Sequence, residues 1–148
     1  MNTEFWQAYQ EFDERETINP VSNISEQIDE AEQSLKMKFP EVFKAWLLQH
    51  PRGNIDTGVC SLISLNQETV KDYLLGYDHS EAILENKKIL IGYSDDIGSF
   101  LTIDQEGKVY SLSHEVDYQK VSGVDFKKTN QTFTELLQES TNYMNMMN

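Results

Sequence analysis

The chain has 148 residues, 39% hydrophobic and 25% charged, with 25 acidic against 12 basic side chains and a net charge of −13. That length and composition suit one folded domain spanning 1–148, long enough to bury roughly 70% of the surface its unfolded chain would expose. The charge argues against nucleic acid and anionic membranes, which would repel it, and leaves two readings: simple solubility, or a basic protein partner steered in by the complementary field.

A first helix opens at Thr3, with Phe5, Ala8, Tyr9 and Phe12 on one side and Trp6 beside them, so the N-terminal segment is expected to dock on the body. Up to Gln33 nine acids, among them Glu11, Asp13, Glu14, Asp29 and Glu30, are opposed by Arg15 alone, so most of the charge imbalance sits in the first quarter. The N-terminus lacks a basic segment followed by a continuous apolar one, and no later run approaches the ~20 apolar residues of a membrane span. A cytoplasmic protein is expected. Pro20 and its neighbours read as a short linker inside the domain.

The densest signals lie over residues 24–54. Asn23 and Ser25 are both good N-cap residues, and Asn23 with Glu26 has capping-box spacing. Ile28, Ala31 and Leu35 then recur at helical spacing, leaving Glu26, Asp29, Glu30 and Gln33 on the wet side. Pro40 is expected to end this helix and to open the next, since it forces Phe39 out of the helical region and needs no donor at a helix start. Val42, Phe43, Trp46, Leu47 and His50 form a broad inward stripe on that second helix, and Pro51, Gly53 and Asn54 close it in a turn.

Glu32, Phe39-Pro40, Phe43 and Leu47, followed by a glycine-containing turn, resemble the start of the SUKH superfamily. That domain is found in a yeast cell-wall synthesis regulator and in many bacterial immunity proteins. Arg52-Gly53-Asn54 departs from the family's usual Asn-Gly-Gly.

Beyond Asn54 the character turns to short β-prone runs. A strand is expected over 59–65, then a helix capped by Asn66 and running through Leu75, with Val70, Tyr73 and Leu74 inward and Gly76 as its stop. Residues 77–88 show no clear period. Strands follow over 89–93, 99–103 and 108–112, joined by Gly98 and the turn residues 104–107 in an antiparallel meander. Leu101 and Ile103, and Tyr110 and Leu112 on the next strand, are expected on the face that meets the helices. A last strand is expected near 120–124. Thr132 and Glu135 form a capping box for a terminal helix with Phe133, Leu136, Leu137 and Ser140 inward, while Met144, Met146 and Met147 are expected in or beyond a fraying end. The run 91–98, the Asp104–Gly107–Tyr110 spacing and Thr132-Phe133 before Leu136-Leu137 extend the resemblance over about 24–143.

The expected fold is α+β: N-terminal helices, an antiparallel sheet of about five strands, and a C-terminal helix packed beside it.

Chemistry is harder to find. There is no phosphate loop, no nucleophile elbow and no H-E-x-x-H, and the lone Cys60 excludes an internal disulfide and a Cys-rich zinc site. His50, His79 and His114 lack partners at metal-ligand spacing. No cofactor or metal is expected. A Cys60–His114 dyad needs adjoining strands, and a buried structural cysteine is the competing reading. Asp95-Asp96 lacks the alternating ligands of a calcium loop, so a solvated turn competes with a partner-binding rim.

The rim reading, with Asn54, Asp56, Tyr93, Asp95 and Asp96, comes from the resemblance. Glu11, Asp13, Glu14, Asp29 and Glu30 join these as candidate contacts on charge. The resemblance implies an immunity protein that binds a cognate basic toxin domain, often a nuclease, and occludes it without catalysis; the alternative it implies is a regulatory scaffold like the fungal members.

Overall fold

A computed structural model of the protein describes residues 3–12, 23–48, 54–63, 69–76, 79–94, 98–117 and 119–148. Six strands form one sheet in the order β1-β2-β3-β4-β5-β6, each antiparallel to its neighbour: β1 (Asn54–Asp56), β2 (Ser61–Ile63), β3 (Ile89–Ser94), β4 (Ser99–Ile103), β5 (Lys108–Ser113) and β6 (Phe126–Thr132). The helices are α1 (Thr3–Phe12), α2 (Ile24–Leu35), α3 (Glu41–Leu48), α4 (Val70–Leu75), α5 (Ser80–Glu85) and α6 (Phe133–Met147). The α+β architecture stands as read from the sequence, with six strands where about five were expected.

The core is aromatic on the helical side. Trp46 of α3 stacks on Trp6 of α1 with centroids 5.1 Å apart, and meets Phe5 and Phe133 edge-on. Its indole N–H donates to the Ile63 carbonyl at 2.8 Å, so the ring both fills the core and satisfies the end of β2. Glu32 explains why an acid precedes Phe-Pro: its carboxylate accepts the Phe39 N–H at 2.8 Å and pairs with Lys44 at 3.4 Å, fastening α2 to α3. Burial draws the Lys44 ammonium down, but Glu32 and Glu41 outweigh it and hold its pKa above the ordinary lysine range.

Several local expectations change. Asn23 is left-handed and makes no side-chain cap, so α2 starts without the capping box that Asn23 and Glu26 would have made. The same helix ends at left-handed Lys36, four residues before Pro40; Pro40 instead lends its carbonyl to the first turn of α3. Thr69, with its hydroxyl accepting from the Asp72 N–H, caps α4. Asn66, His50 and the turn over 51–53 lie outside the described residues. Helix α5 occupies the stretch without period: at six residues it is too short to display one. Residues 123–125 form a 3-10 turn, and the last strand follows it at Phe126–Thr132. The Thr132–Glu135 capping box is present in both directions.

Met144 does not lie in a fraying end. It is fully buried, the α6 stripe continues through Ser140 and Thr141 to reach it, and Asn148 donates to the Ala8 carbonyl at 3.4 Å, tying the helix end to α1.

Candidate functional site

Strand register decides which side chains share a face, because directly opposed residues in an antiparallel pair point the same way. One row crosses all six strands: Asp56, Ser61, Tyr93, Phe100, Leu112 and Phe126 are successive partners. The adjacent row, Ile55, Leu62, Gly92, Leu101, Ser111 and Lys127, points to the other side. Leu101 and Ile103 share one side of the sheet. Tyr110 and Leu112 lie on the other side, not on the same one as expected, because Tyr110 opposes Thr102 and Leu112 opposes Phe100, and Leu112 is fully buried there. Period 2 places residues correctly within a strand but leaves the phase between strands to the hairpin.

The row beginning at Asp56 carries an aromatic ladder. Tyr93 meets Phe100 edge-on at 5.7 Å, His79 tilts over Phe100 at 4.8 Å, and His114 flanks Tyr93 at 6.3 Å. The His114 Nδ1–H donates to the Gly98 carbonyl, which fixes the orientation of the ring. Tyr93, Phe100 and His79 are half-buried, and His114 and Asp56 are exposed. Further along, Lys88 lies 4.7 Å from the centroid of Tyr110 and 5.1 Å from that of Phe126, a cation held between two rings. Burial first, and then the hydrogen bond from its hydroxyl to Asp104 Oδ2, push the Tyr110 phenol above its usual range, so it stays neutral.

The candidate residues fall into three places. Asp56 of β1 and Tyr93 of β3 lie on one face with Ser61 of β2 between them, the Asp56 carboxylate accepting the Gly58 N–H at 2.9 Å, and Asn54 opens β1. Asp29 and Glu30 are exposed on α2. Glu11 is exposed on α1, at the seam with α6, 3.4 Å from the Asn148 amide. Asp13, Glu14, Asp95 and Asp96 lie outside the described residues. Sequence reasoning missed Phe100, His79 and His114; the alternation in β3 and β4 across a short turn was the signal that would have put Phe100 opposite Tyr93.

The thiol is not poised for nucleophilic chemistry. Burial, more than anything else around it, pushes Cys60 up to about 11, and it sits with Thr57 and Ser140 on the α6 side. His114 packs on Tyr93, the partner of Ser61, so it stands on the opposite face of the sheet from Cys60. Among the described residues no three His, Cys, Asp or Glu side chains are grouped to hold a metal ion. No helix among them is long and apolar enough to cross a membrane.

Residues 25–139 match the SMI1 / KNR4 family (SUKH-1). The chain belongs to that family. The match takes in α2 through the first half of α6, and so includes both the Glu32–Phe39 fastening and the whole sheet that carries the aromatic row of this SUKH-1 domain. No curated protein matches the chain.

Proposed function

We propose that this SUKH-1 protein is a single-domain, non-catalytic cytoplasmic binding module that acts as an immunity protein. Its partner is a cognate toxin domain with a basic groove, of the kind enzymes acting on nucleic acid need, and the mechanism is steric and electrostatic occlusion. Family membership makes it a small immunity-like or regulator-like domain. The observation that carries the finer reading is the face on which exposed Asp56, across Ser61 from Tyr93, accompanies half-buried Tyr93 and Phe100 with His79 and His114 packed against them. Aromatic anchors match the composition of interface hot spots, and a carboxylate on the same face takes the place a phosphate would occupy in a basic groove. The net charge of −13 would speed the encounter without supplying specificity.

The test is capture of the products of neighbouring genes by the tagged chain, washed at ~0.5 M salt, where screening shortens the reach of surface charge to a few ångström. One basic enzyme retained in stoichiometric amount, and inactive in the complex, is the expected outcome. Tyr93→Ala then weakens the complex by roughly 2 kcal/mol, about thirtyfold, and Asp56→Lys chiefly slows association. A captured enzyme that stays fully active, or is held equally well by both variants, would sink the occlusion reading at this face. Retention of wall-synthesis or signalling proteins instead would move the protein to the regulatory scaffold class.

A further inference from the structure

The last strand is not regular. Between the pairs Lys108–Thr132 and Tyr110–Lys128, β5 advances two residues while β6 advances four, so β6 bulges there, with Asn130 in the left-handed region at φ 62°. The Thr129 hydroxyl fastens the bulge by donating to the Val109 carbonyl at 2.9 Å, and the Thr132–Glu135 box fixes the strand's end. Here lies a pocket of about 320 Å³, with Lys108, Tyr110, Lys128, Asn130 and Glu135 in its wall. Among the described residues no strand lies beyond β6, so the pocket stands at an open edge of the sheet.

The polar groups of this wall are unequally engaged. The Glu135 carboxylate accepts the Thr132 N–H at 2.9 Å, the Tyr110 hydroxyl is bonded to Asp104, and Lys108 pairs with Glu106 at 3.2 Å. Among the described residues, the Lys128 ammonium and the Asn130 side-chain amide make no hydrogen bond or ion pair. Lys88, held against the Tyr110 and Phe126 rings, likewise has no carboxylate partner. The strand itself carries Lys127 and Lys128 and no acid. What is left over is cationic and donating, in a chain that is acidic elsewhere, and its complement is an oxyanion.

We infer that the β5–β6 pocket is an oxyanion subsite that takes an aspartate or glutamate side chain of the protein partner. It rests on the reading of this protein as a protein-binding module, and deepens it by giving the contact two ends of opposite sign. Tyr110 and Lys128 oppose each other in the row of Thr102, and so lie on the side of the sheet that carries Phe100, Tyr93 and Asp56. From β1 to β6 is five inter-strand spacings, about 24 Å, a span that one interface of roughly 800 Å² per partner covers. Leu112 and Phe126 are buried between the two ends, so Asp56 and Lys128 make separate contacts, and a partner that meets both is held in one orientation.

The full chain is titrated at low ionic strength with a synthetic peptide of four glutamates, and separately with inorganic phosphate, and followed by amide NMR. The expected result is a saturable shift at Lys128, Asn130 and Gln131 with the peptide, and a much weaker response to phosphate. Exchanging the glutamates for glutamines abolishes the shift, Lys128→Gln weakens binding about fivefold, and Lys71→Gln on α4 leaves it unchanged. Phosphate bound as tightly as the peptide overturns the assignment in favour of a free anion. Shifts that follow every exposed lysine alike overturn it in favour of general charge attraction. Unaltered peptide binding by Lys128→Gln, with self-association of that variant in sedimentation, overturns it too and makes Lys128 a guard of the open edge. The peptide is read without any toxin present, so failure of the subsite and failure of the immunity reading remain distinguishable.

Discussion

The two sides of the sheet are built from the same residue types and do different things with them. On the helical side Trp46, Trp6, Phe5 and Phe133 are buried against one another, and the indole N–H of Trp46 is spent on a backbone carbonyl. On the other side Tyr93, Phe100 and His79 touch as closely but stay half-open, in a row that ends at an exposed carboxylate. The contrast teaches that ring contacts do not by themselves say whether an aromatic cluster is core or surface. What separates them is exposure: the helical-side rings are buried, while Tyr93 and Phe100 stay half-open although Leu112 and Phe126 of the same row are buried.

Breaking the helical side has the largest expected effect. Trp46→Ala removes a buried indole and its hydrogen bond and costs about 3–5 kcal/mol, read as a lower urea midpoint. A loss under about 1 kcal/mol would mean that the four-ring cluster is not the core.

Cys60 tests the same side through pH. Its thiol is pushed up to about 11 in the folded protein, above its unfolded value, so the unfolded chain gives up the proton first. This group's contribution to stability is fully present below about pH 9 and is lost as pH rises toward 11, by on the order of 2–3 kcal/mol. Denaturant midpoints measured from pH 8 to 11, on the native chain and on Cys60→Ala, should converge as pH rises; parallel curves would contradict the burial. At pH 8 the native thiol should react with an alkylating agent far more slowly than the unfolded one.

Gly92 tests the boundary between the two sides. A Cβ built there would lie 2.2 Å from the Ser61 carbonyl oxygen, and backbone cannot swing aside as a side-chain tip can. Gly92→Ala should cost about 2 kcal/mol and loosen β2 from β3, visible as faster amide exchange at Leu62. Unchanged exchange would show that the strands separate without cost.

The smallest effect is expected on the open side. Tyr93→Ala should lower stability by only about 1 kcal/mol, since it loses two edge-on ring contacts, with Phe100 and His114, and a partly exposed surface. If it unfolded the protein instead, the ladder would be core, and the contrast between the two faces would vanish.

Local chemistry made much of the fold readable. The spacing of Ile28 and Ala31, the stripe of Phe43, Trp46 and Leu47, the inward Val70, Tyr73 and Leu74, and the Thr132–Glu135 box all act within a turn or two of chain, where period and capping dominate. Caps that need a particular backbone angle were less readable: Asn23 has the right side chain but a left-handed backbone, and the helix begins without it. Of the candidate site, Asp56 and Tyr93 could be named from the chain, but not that they flank Ser61 in one row, nor that Glu11 stands apart at the α1–α6 seam.

The amino-acid sequence by itself determined the helices other than α5, the meander, the acidic surface and the family, because each depends on neighbours a few residues apart or on composition. Only the tertiary structure decided the phase between strands, the burial of Met144 under α1, and the company of His79, Phe100, Tyr93 and His114. The physical reason is that a one-residue change of register turns a whole strand over, and nothing within the strand records which partner it will meet.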